Sequence, residues 1–580
     1  MFHRHRAFLF ILIFIAFGPT LRVDSIVFAQ TTSPKEEVVS SKTGLVVSSY
    51  PDASKVGADI LRQGGNAVDA AVATAFALAV TWPSAGNIGG GGFMIVRRPN
   101  GESVAIDYRE KAPLGSTQTM YLDKNGEIDR SLTAAGYLAP GVPGTVRGLE
   151  TAHRKFGKLP WKTVVMPSVL LAENGFVLSA SLARSINNQI SGPMAEFPAS
   201  VAAYGKPGGG EWAAGDRIVL KDLGKTLRDI ATTGPDAFYK GRIADLIAAD
   251  MRANGGLITK KDLAEYQAKI RTPIKGQFRG YEIVSMPPPS SGGTALVEML
   301  NILENFDLRK EGRYSPVTIH LIVESMRRAF LDRARHLGDP DFNKLPIERL
   351  ISKSYAKSLA DGIDLQKASD SVALGGDIVT KQEPEESSET THFSVIDKDG
   401  MAVSNTYTLE GGYGSHVVVK GAGFILNNEM GDFNKKPGET NTRGDIGTPA
   451  NLIAPGKRML SSMTPTIVSK DGKLVLITGT PGGRTIINTV LCIVLNVTEF
   501  GMDGREAVDA PRIHNQWLPD RTYLEPGGIN ESVFDRLRSM GHNIPGGNHS
   551  QGDGNSIFID LQGTATGIND KRNSNSTAAK

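Results

Sequence analysis

Glu389-Thr390-Thr391-His392-Phe393-Ser394-Val395-Ile396-Asp397-Lys398-Asp399-Gly400 is the stretch whose reading decides the fold. Ahead of it, Glu383-Pro384-Glu385-Glu386-Ser387-Ser388 is acidic and serine-rich, the composition of a solvated loop. Phe393, Val395 and Ile396 then run into an Asp-Gly turn, and Met401, Val403, Tyr407 and Leu409 follow. Strand, tight turn, strand is the local chemistry of a β-hairpin. With the turn centred between Lys398 and Asp399, pairing carries Thr390 up against Thr406 to Thr408. An exposed loop therefore runs straight into a threonine at the start of a core strand, with other hydroxyls beside it.

A mid-chain threonine is a poor nucleophile, because nothing nearby takes its proton. A cut before Thr390 changes that: the new α-amine, with a pKa near ~8, serves as base for its own hydroxyl. Thr-Thr at a strand start also satisfies plain β-propensity, so these residues alone do not decide for chemistry.

The segment resembles the processing site of the γ-glutamyltransferases, which are N-terminal-nucleophile hydrolases. The match continues in order through Thr406 to Leu409, Leu426-Asn427-Asn428-Glu429-Met430 with Asp432-Phe433, Leu460 to Pro465, and Pro481-Gly482-Gly483. Upstream it takes in Gly64 to Ala71, Gly89 to Phe93, Asp107-Tyr108-Arg109-Glu110 and Pro287 to Gly293. Each piece is weak alone; the ordered set is specific and spans nearly the whole chain beyond its first forty residues.

The resemblance implies an α+β fold, the four-layer αββα sandwich, formed by two chains from one autocleaved precursor. Residues 1–29 would be a signal peptide, 30–389 a mostly helical large subunit contributing Arg109, and 390–580 a small subunit opening on the nucleophile. The cut falls between Glu389 and Thr390. Arg109, with Ser461 and Ser462, would bind the α-carboxylate of a γ-glutamyl group, a task suited to a planar fork. Asp432, with Glu429 alongside, would take the α-ammonium. Gly482 and Gly483 would offer backbone N–H groups to the oxyanion, and Thr408 would hydrogen-bond Thr390. The implied donor is glutathione and the acceptor water, an amino acid or a peptide; no cofactor and no metal is implied.

The sequence departs from the commonest family pattern. Glu410 stands where many members have asparagine, Gly431 where an aspartate is common, and Met459 where proline is usual. The loop between Asn434 and Met463 has lid length but no aromatic residue, which leaves the acceptor side least defined. The nearest rival is an acylase of the same fold that cleaves glutaryl side chains; glutaryl lacks the ammonium that Asp432 and Glu429 suit. A secreted, non-catalytic binding protein on the same scaffold is a second rival, opposed by the filled catalytic positions. Ser354-x-x-Lys357 and Lys42-Thr43-Gly44 stand in the wrong order for a serine β-lactam enzyme.

Composition fits a large globular protein. Of 580 residues 40% are hydrophobic, ample for a large core, and a net charge of +3 with both signs interspersed leaves no nucleic-acid footprint. Met1 to Arg6 is basic, Ala7 to Phe17 apolar, and Val27-Phe28-Ala29 has small residues at the positions a signal peptidase reads. The apolar run is short for a membrane span, so a periplasmic or secreted protein is expected. The sole cysteine, Cys492, lies in an apolar run and reads as a buried small hydrophobe.

Along the chain, residues 30–42 read as disordered, Leu45 to Val47 as a strand, and 53–80 as two helices broken at Gly64-Gly65. The glycine-rich run 86–92 lacks the Lys-Ser/Thr of a phosphate loop and leads into a strand, so close backbone approach is its expected use. Residues 141–339 read as mostly helical, with His320 and Glu324 as an intrahelical pair and not a metal site, and with Arg327, Arg328, Arg333 and Arg335 as salt-bridge partners. Phe424 to Leu426, 466–468, 474–477 and 556–559 read as strands, and 486–500 as a helix.

Overall fold

A computed structural model describes residues 38–376, 378, 380–381, 389–441, 449–527, 529–547 and 549–580. The expected signal peptide and the acidic loop 383–388 lie outside them. Two seven-stranded antiparallel sheets form the centre. One runs, edge to edge, Thr577–Ala579, Gly44–Ser48, Thr391–Asp397, Ala402–Thr408, Gly91–Arg97, Ser103–Asp107, Lys269–Arg271. The other runs Val39–Ser41, Ala565–Ile568, Ser556–Ile559, Lys473–Thr478, Thr466–Lys470, Tyr281–Ser285, Ile274–Phe278. Strands from before and after residue 389 are interleaved in the first sheet, and in the second the four strands from after residue 389 are flanked on both sides by strands from before it.

Helices cover the outer face of each sheet, which makes four layers. Over the first sheet lies Ala67–Thr81, all of it buried. Asn66 opens it with a capping box to Asp69, and its apolar residues surround the axis, as burial on every side requires. Gly292–Leu303, Pro316–His336 and Thr485–Thr498 cover the second sheet and share one apolar cluster with its outer face. A separate cluster, including Leu45, Phe93, Ile95, Ile467 and Ile477, fills the space between the sheets.

At one end that inter-sheet space turns polar. His392 faces Thr406 Oγ1 at 2.8 Å and Ser394 Oγ at 3.1 Å, and Ser394 donates to the Asn555 carbonyl at 2.8 Å. Ser404 Oγ donates to the Thr478 carbonyl at 2.8 Å and accepts from Thr466 N at 3.0 Å. Burial pushes the His392 imidazole down to about 3, so it is neutral at physiological pH and acts as a fixed dipole.

The hairpin is as the sequence implies. Thr391 pairs with Tyr407 and Ile396 with Ala402, and the turn is centred on Asp399, half a residue from expectation. Several other expectations need correction. Residues 39–41 are a strand paired with 565–567, not part of a disordered start. The region 141–339 contains the hairpin strands Ile274–Phe278, at the sheet edge, and Tyr281–Ser285 beside it; the Lys-Gly-Gln of the first and the Arg279-Gly280 turn between them hide their period. Phe424 to Leu426 forms only an isolated bridge, Ile425 to Val418.

His320 and Glu324 do not bond to each other: His320 meets His542 at 2.8 Å and the Asp364 carbonyl at 2.8 Å. Glu324 accepts from Arg328 at 2.5 Å, Arg327 at 3.3 Å and Ser369 Oγ at 2.6 Å. Burial raises its carboxyl, but Arg327, Ser369 and Arg328 outweigh that and take it down to about 2. A folded-state pKa below the unfolded one gives stability that is present above about 4.5 and lost as pH falls through 2, about 3 kcal/mol in all. Glu324→Gln should cost about 3–5 kcal/mol at pH 7, since it leaves buried arginines without their carboxylate. Urea titrations of the two proteins should show that gap about 2 kcal/mol smaller at pH 3.

Candidate active site

Thr390 sits immediately before the strand Thr391–Asp397, opposite Thr408 at the end of the paired strand. Its Oγ1 donates to Thr408 Oγ1 at 3.3 Å and makes a short contact with the Glu389 carbonyl oxygen. Thr408 is fixed from behind. Its carbonyl accepts from Asn87 Nδ2 at 2.8 Å, its Oγ1 accepts from Glu410 N at 3.0 Å, and a Cβ at Gly90 would come within 2.1 Å of its carbonyl. The glycine-rich turn is therefore a close-packing device, as read from the sequence.

Thr390 opens on a narrow cleft. Arg109, Glu389, Thr408, Glu410, Glu429, Asp432, Ser461, Ser462 and Gly483 line it with Thr390, so the candidate residues converge. Gly482 is the exception: it borders the space on the other side of Thr390. Gly482 and Gly483 have φ of 129° and 56°, values that favour glycine.

Arg109 follows the strand Ser103–Asp107, and its backbone is fixed by Asp107 Oδ1 at 2.9 Å and Tyr266 Oη at 2.8 Å. Its guanidinium donates to Glu429, to Asp432 and to the Leu460 carbonyl, the last at 3.1 Å. Asn427 holds the turn that carries Glu429: its Oδ1 accepts from Glu429 N at 3.0 Å, and its Nδ2 donates to the Gly89 and Gly141 carbonyls at 2.8 Å. Glu110 lies under the same guanidinium at 3.8 Å, fully buried, with neither oxygen hydrogen-bonded. Burial pushes Glu110 up to about 7, against the pull of Arg109, and raises Glu429 well above its usual range. Three carboxyls thus crowd the Arg109 guanidinium, and burial holds two of them, Glu110 and Glu429, toward the protonated form.

The sequence reading missed Glu110 and Arg333 as members of the site. Glu110 stands within the quoted motif, but its burial is invisible in one dimension. Arg333, read from the sequence as a salt-bridge partner, donates to Ser462 Oγ at 3.1 Å and Ser291 Oγ at 2.9 Å and lines the cleft. Nothing local separates it from Arg327, which pairs with Asp520 and Glu324. Part of the lid-length loop, 442–448, lies outside the described residues.

Residues 53–580 match the family model described as gamma-glutamyltranspeptidase. The chain belongs to this family. Among its gamma-glutamyltranspeptidase relatives, the glutathione hydrolase proenzyme of Escherichia coli K12 is 47% identical over 534 residues, covering 92% of this chain and 91% of the relative. The acylase ACY 1 proenzyme of Pseudomonas sp. SE83 is 38% identical, covering 92% and 93%. Among solved structures, a cephalosporin acylase from Bacillus halodurans superposes with a TM-score of 0.81 at 27% identity, over 96% of this chain and 99% of that one. The chain is thus a gamma-glutamyltranspeptidase-type enzyme on an N-terminal-nucleophile sandwich, and the acylase alternative is the less favoured one. Among the described residues no group of His, Cys, Asp or Glu could hold a metal ion, and no helix is long and apolar enough to cross a membrane.

Proposed function

We propose that the chain is an exported glutathione hydrolase and γ-glutamyltransferase, made as a precursor that cuts itself between Glu389 and Thr390. The observation that carries this reading is the position of Thr390 Oγ1, bonded to the Thr408 hydroxyl and to its own scissile carbonyl, at the mouth of the cleft containing Arg109 and Asp432. Attack on the Glu389 carbonyl carbon converts the peptide bond to an ester, and water hydrolyses it. The products, 30–389 and 390–580, stay together as a heterodimer. The basic and apolar start of the sequence supports removal of 1–29 and release to the periplasm or the medium.

In the cut enzyme the Thr390 α-amine becomes the base for Oγ1. The donor's α-carboxylate takes the fork of Arg109 with the hydroxyls of Ser461 and Ser462. Its α-ammonium takes Asp432 and Glu429 and supplies the cation that these crowded carboxyls lack. The γ-carbonyl then faces Thr390, and the N–H groups of Gly482 and Gly483 receive the oxyanion, each worth on the order of 10²-fold or more in rate. Thr390 becomes a γ-glutamyl ester, which water resolves in hydrolysis and an amine in transfer. A glutaryl donor would leave Asp432 and Glu429 unsatisfied, which favours γ-glutamyl.

Intact mass spectrometry of the exported protein, before and after a γ-glutamyl-analogue inactivator, tests this reading. Fragments starting near Gln30 and at Thr390, with the adduct on the second, are expected. One uncut chain without adduct would falsify it.

A further inference from the structure

A second chamber, open to solvent, adjoins Thr390 away from the donor cleft. It shares Thr390 and Glu389 with that cleft and is walled by Trp82, Pro481, Gly482, Asp553 and Arg572. The oxyanion turn divides the two spaces, Gly483 bordering the cleft and Gly482 the chamber. With the γ-glutamyl group held in the cleft and its carbonyl at this turn, the space left beside the reacting carbon is the chamber. A neighbouring hollow along residues 411–416 touches the cleft at Glu389 and Glu410 but is not lined by Thr390.

Asp553 is fixed in the chamber wall, 6% exposed. Its Oδ2 accepts from Asn573 Nδ2 at 2.6 Å and Ser49 Oγ at 3.3 Å, and its backbone N donates to Thr480 Oγ1 at 2.7 Å. Its Oδ1 is buried with no partner. The charged groups around it are already balanced: Arg512 pairs with Asp570, and Arg572 with Glu525 and Asp570. Two guanidiniums meet two carboxylates, and Asp553 is a carboxyl in excess. Burial and the nearby Asp570 push it up to about 7, with Asn573 and Arg512 opposing. A buried acceptor left unsatisfied is costly, and an ammonium would both bond it and supply the missing charge.

We propose that this chamber is the acceptor site, and that Asp553 receives the primary amine of the amino acid or short peptide that resolves the γ-glutamyl ester. The inference rests on the reading of Thr390 as nucleophile. The ionised carboxylate takes one proton from the acceptor's ammonium. The neutral amine attacks the ester carbonyl carbon; the C–N bond forms and the bond to Thr390 Oγ1 breaks. The amine's second proton passes to Oγ1, which restores the threonine, and Asp553 returns its proton to solvent.

The test uses the processed enzyme with γ-glutamyl-p-nitroanilide as donor and glycylglycine as acceptor, comparing product formed by transfer with glutamate formed by hydrolysis. In Asp553→Asn the transfer-to-hydrolysis ratio should fall about 30-fold, the loss expected for one charge-assisted contact. A ratio equal to that of the wild type, whether both rates persist or both fall together, overturns the assignment. If that variant yields no processed protein, Ser550→Trp, at an exposed position lining the same chamber, replaces it: a fallen ratio supports the proposal and an unchanged ratio overturns it. A wild-type enzyme that releases no p-nitroaniline with or without acceptor refutes the underlying Thr390 reading, and the inference with it.

Discussion

Thr390→Ala should accumulate as one uncut chain and lose γ-glutamyl hydrolysis by on the order of 10⁴-fold or more, the scale seen when a covalent nucleophile is removed. Both losses have one cause. The hydroxyl that touches the Glu389 carbonyl oxygen is the group that would open the peptide bond, and later the donor amide. The fold should be unaffected, because the register of the strand Thr391–Asp397 begins one residue later and is bonded on both edges, to Ala402–Thr408 and to Gly44–Ser48. Thr390→Ser keeps a hydroxyl and should still cut and turn over, more slowly. A denaturing gel with a rate assay decides it: an alanine variant that still splits at 389/390 would place the processing nucleophile elsewhere.

The second large effect concerns Arg109. Arg109→Met should lower kcat/KM for a γ-glutamyl anilide by about 10²–10³-fold, the worth of a bidentate charge-assisted pair. For a 4-aminobutyryl anilide, which lacks the α-carboxylate, the loss should be much smaller. Lysine should not rescue, because a point charge cannot replace the fork. The variant should also lose about 3–5 kcal/mol of stability at neutral pH, since Glu429, Asp432 and Glu110 are left around an apolar side chain. The sign is set by these carboxyls. Without the guanidinium the folded-state pKa values of Glu110 and Glu429 rise further above the unfolded ones, so the variant is penalised more as pH rises through them. Denaturant midpoints at pH 5 and pH 8 should show the larger deficit at pH 8; equal deficits would contradict this account.

The hairpin was legible because three signals agree in it: alternating apolar residues, an Asp-Gly turn and a polar approach. The buried helix Ala67–Thr81 was legible from its apolar spacing and the Gly64-Gly65 break. The candidate site was legible only through ordered motifs far apart in the chain, and the cleft gathers most of them. What escaped was set by tertiary partners. Tyr281–Ser285 is a strand because Thr466–Lys470 pairs with it, not because of its own composition. Glu110 and Arg333 differ from ordinary surface charges only in what surrounds them. His320 and Glu324 have the spacing of a pair, yet His320 is held by His542 from another segment and Glu324 by Arg327 and Arg328 of its own helix.

The interleaving of strands has a consequence for the molecule's lifetime. In the first sheet Gly44–Ser48 lies between Thr577–Ala579 and Thr391–Asp397, so the two products of the proposed cut cannot part without tearing a strand from both neighbours. Folding must therefore precede scission, while one chain still tethers every partner. After scission the reverse journey requires two separate polypeptides to find each other and thread alternate positions, a concentration-dependent search with exposed strand edges at every stage. Unfolding becomes a one-way event, and the working life of the mature enzyme is set by the height of its unfolding barrier and not by an equilibrium.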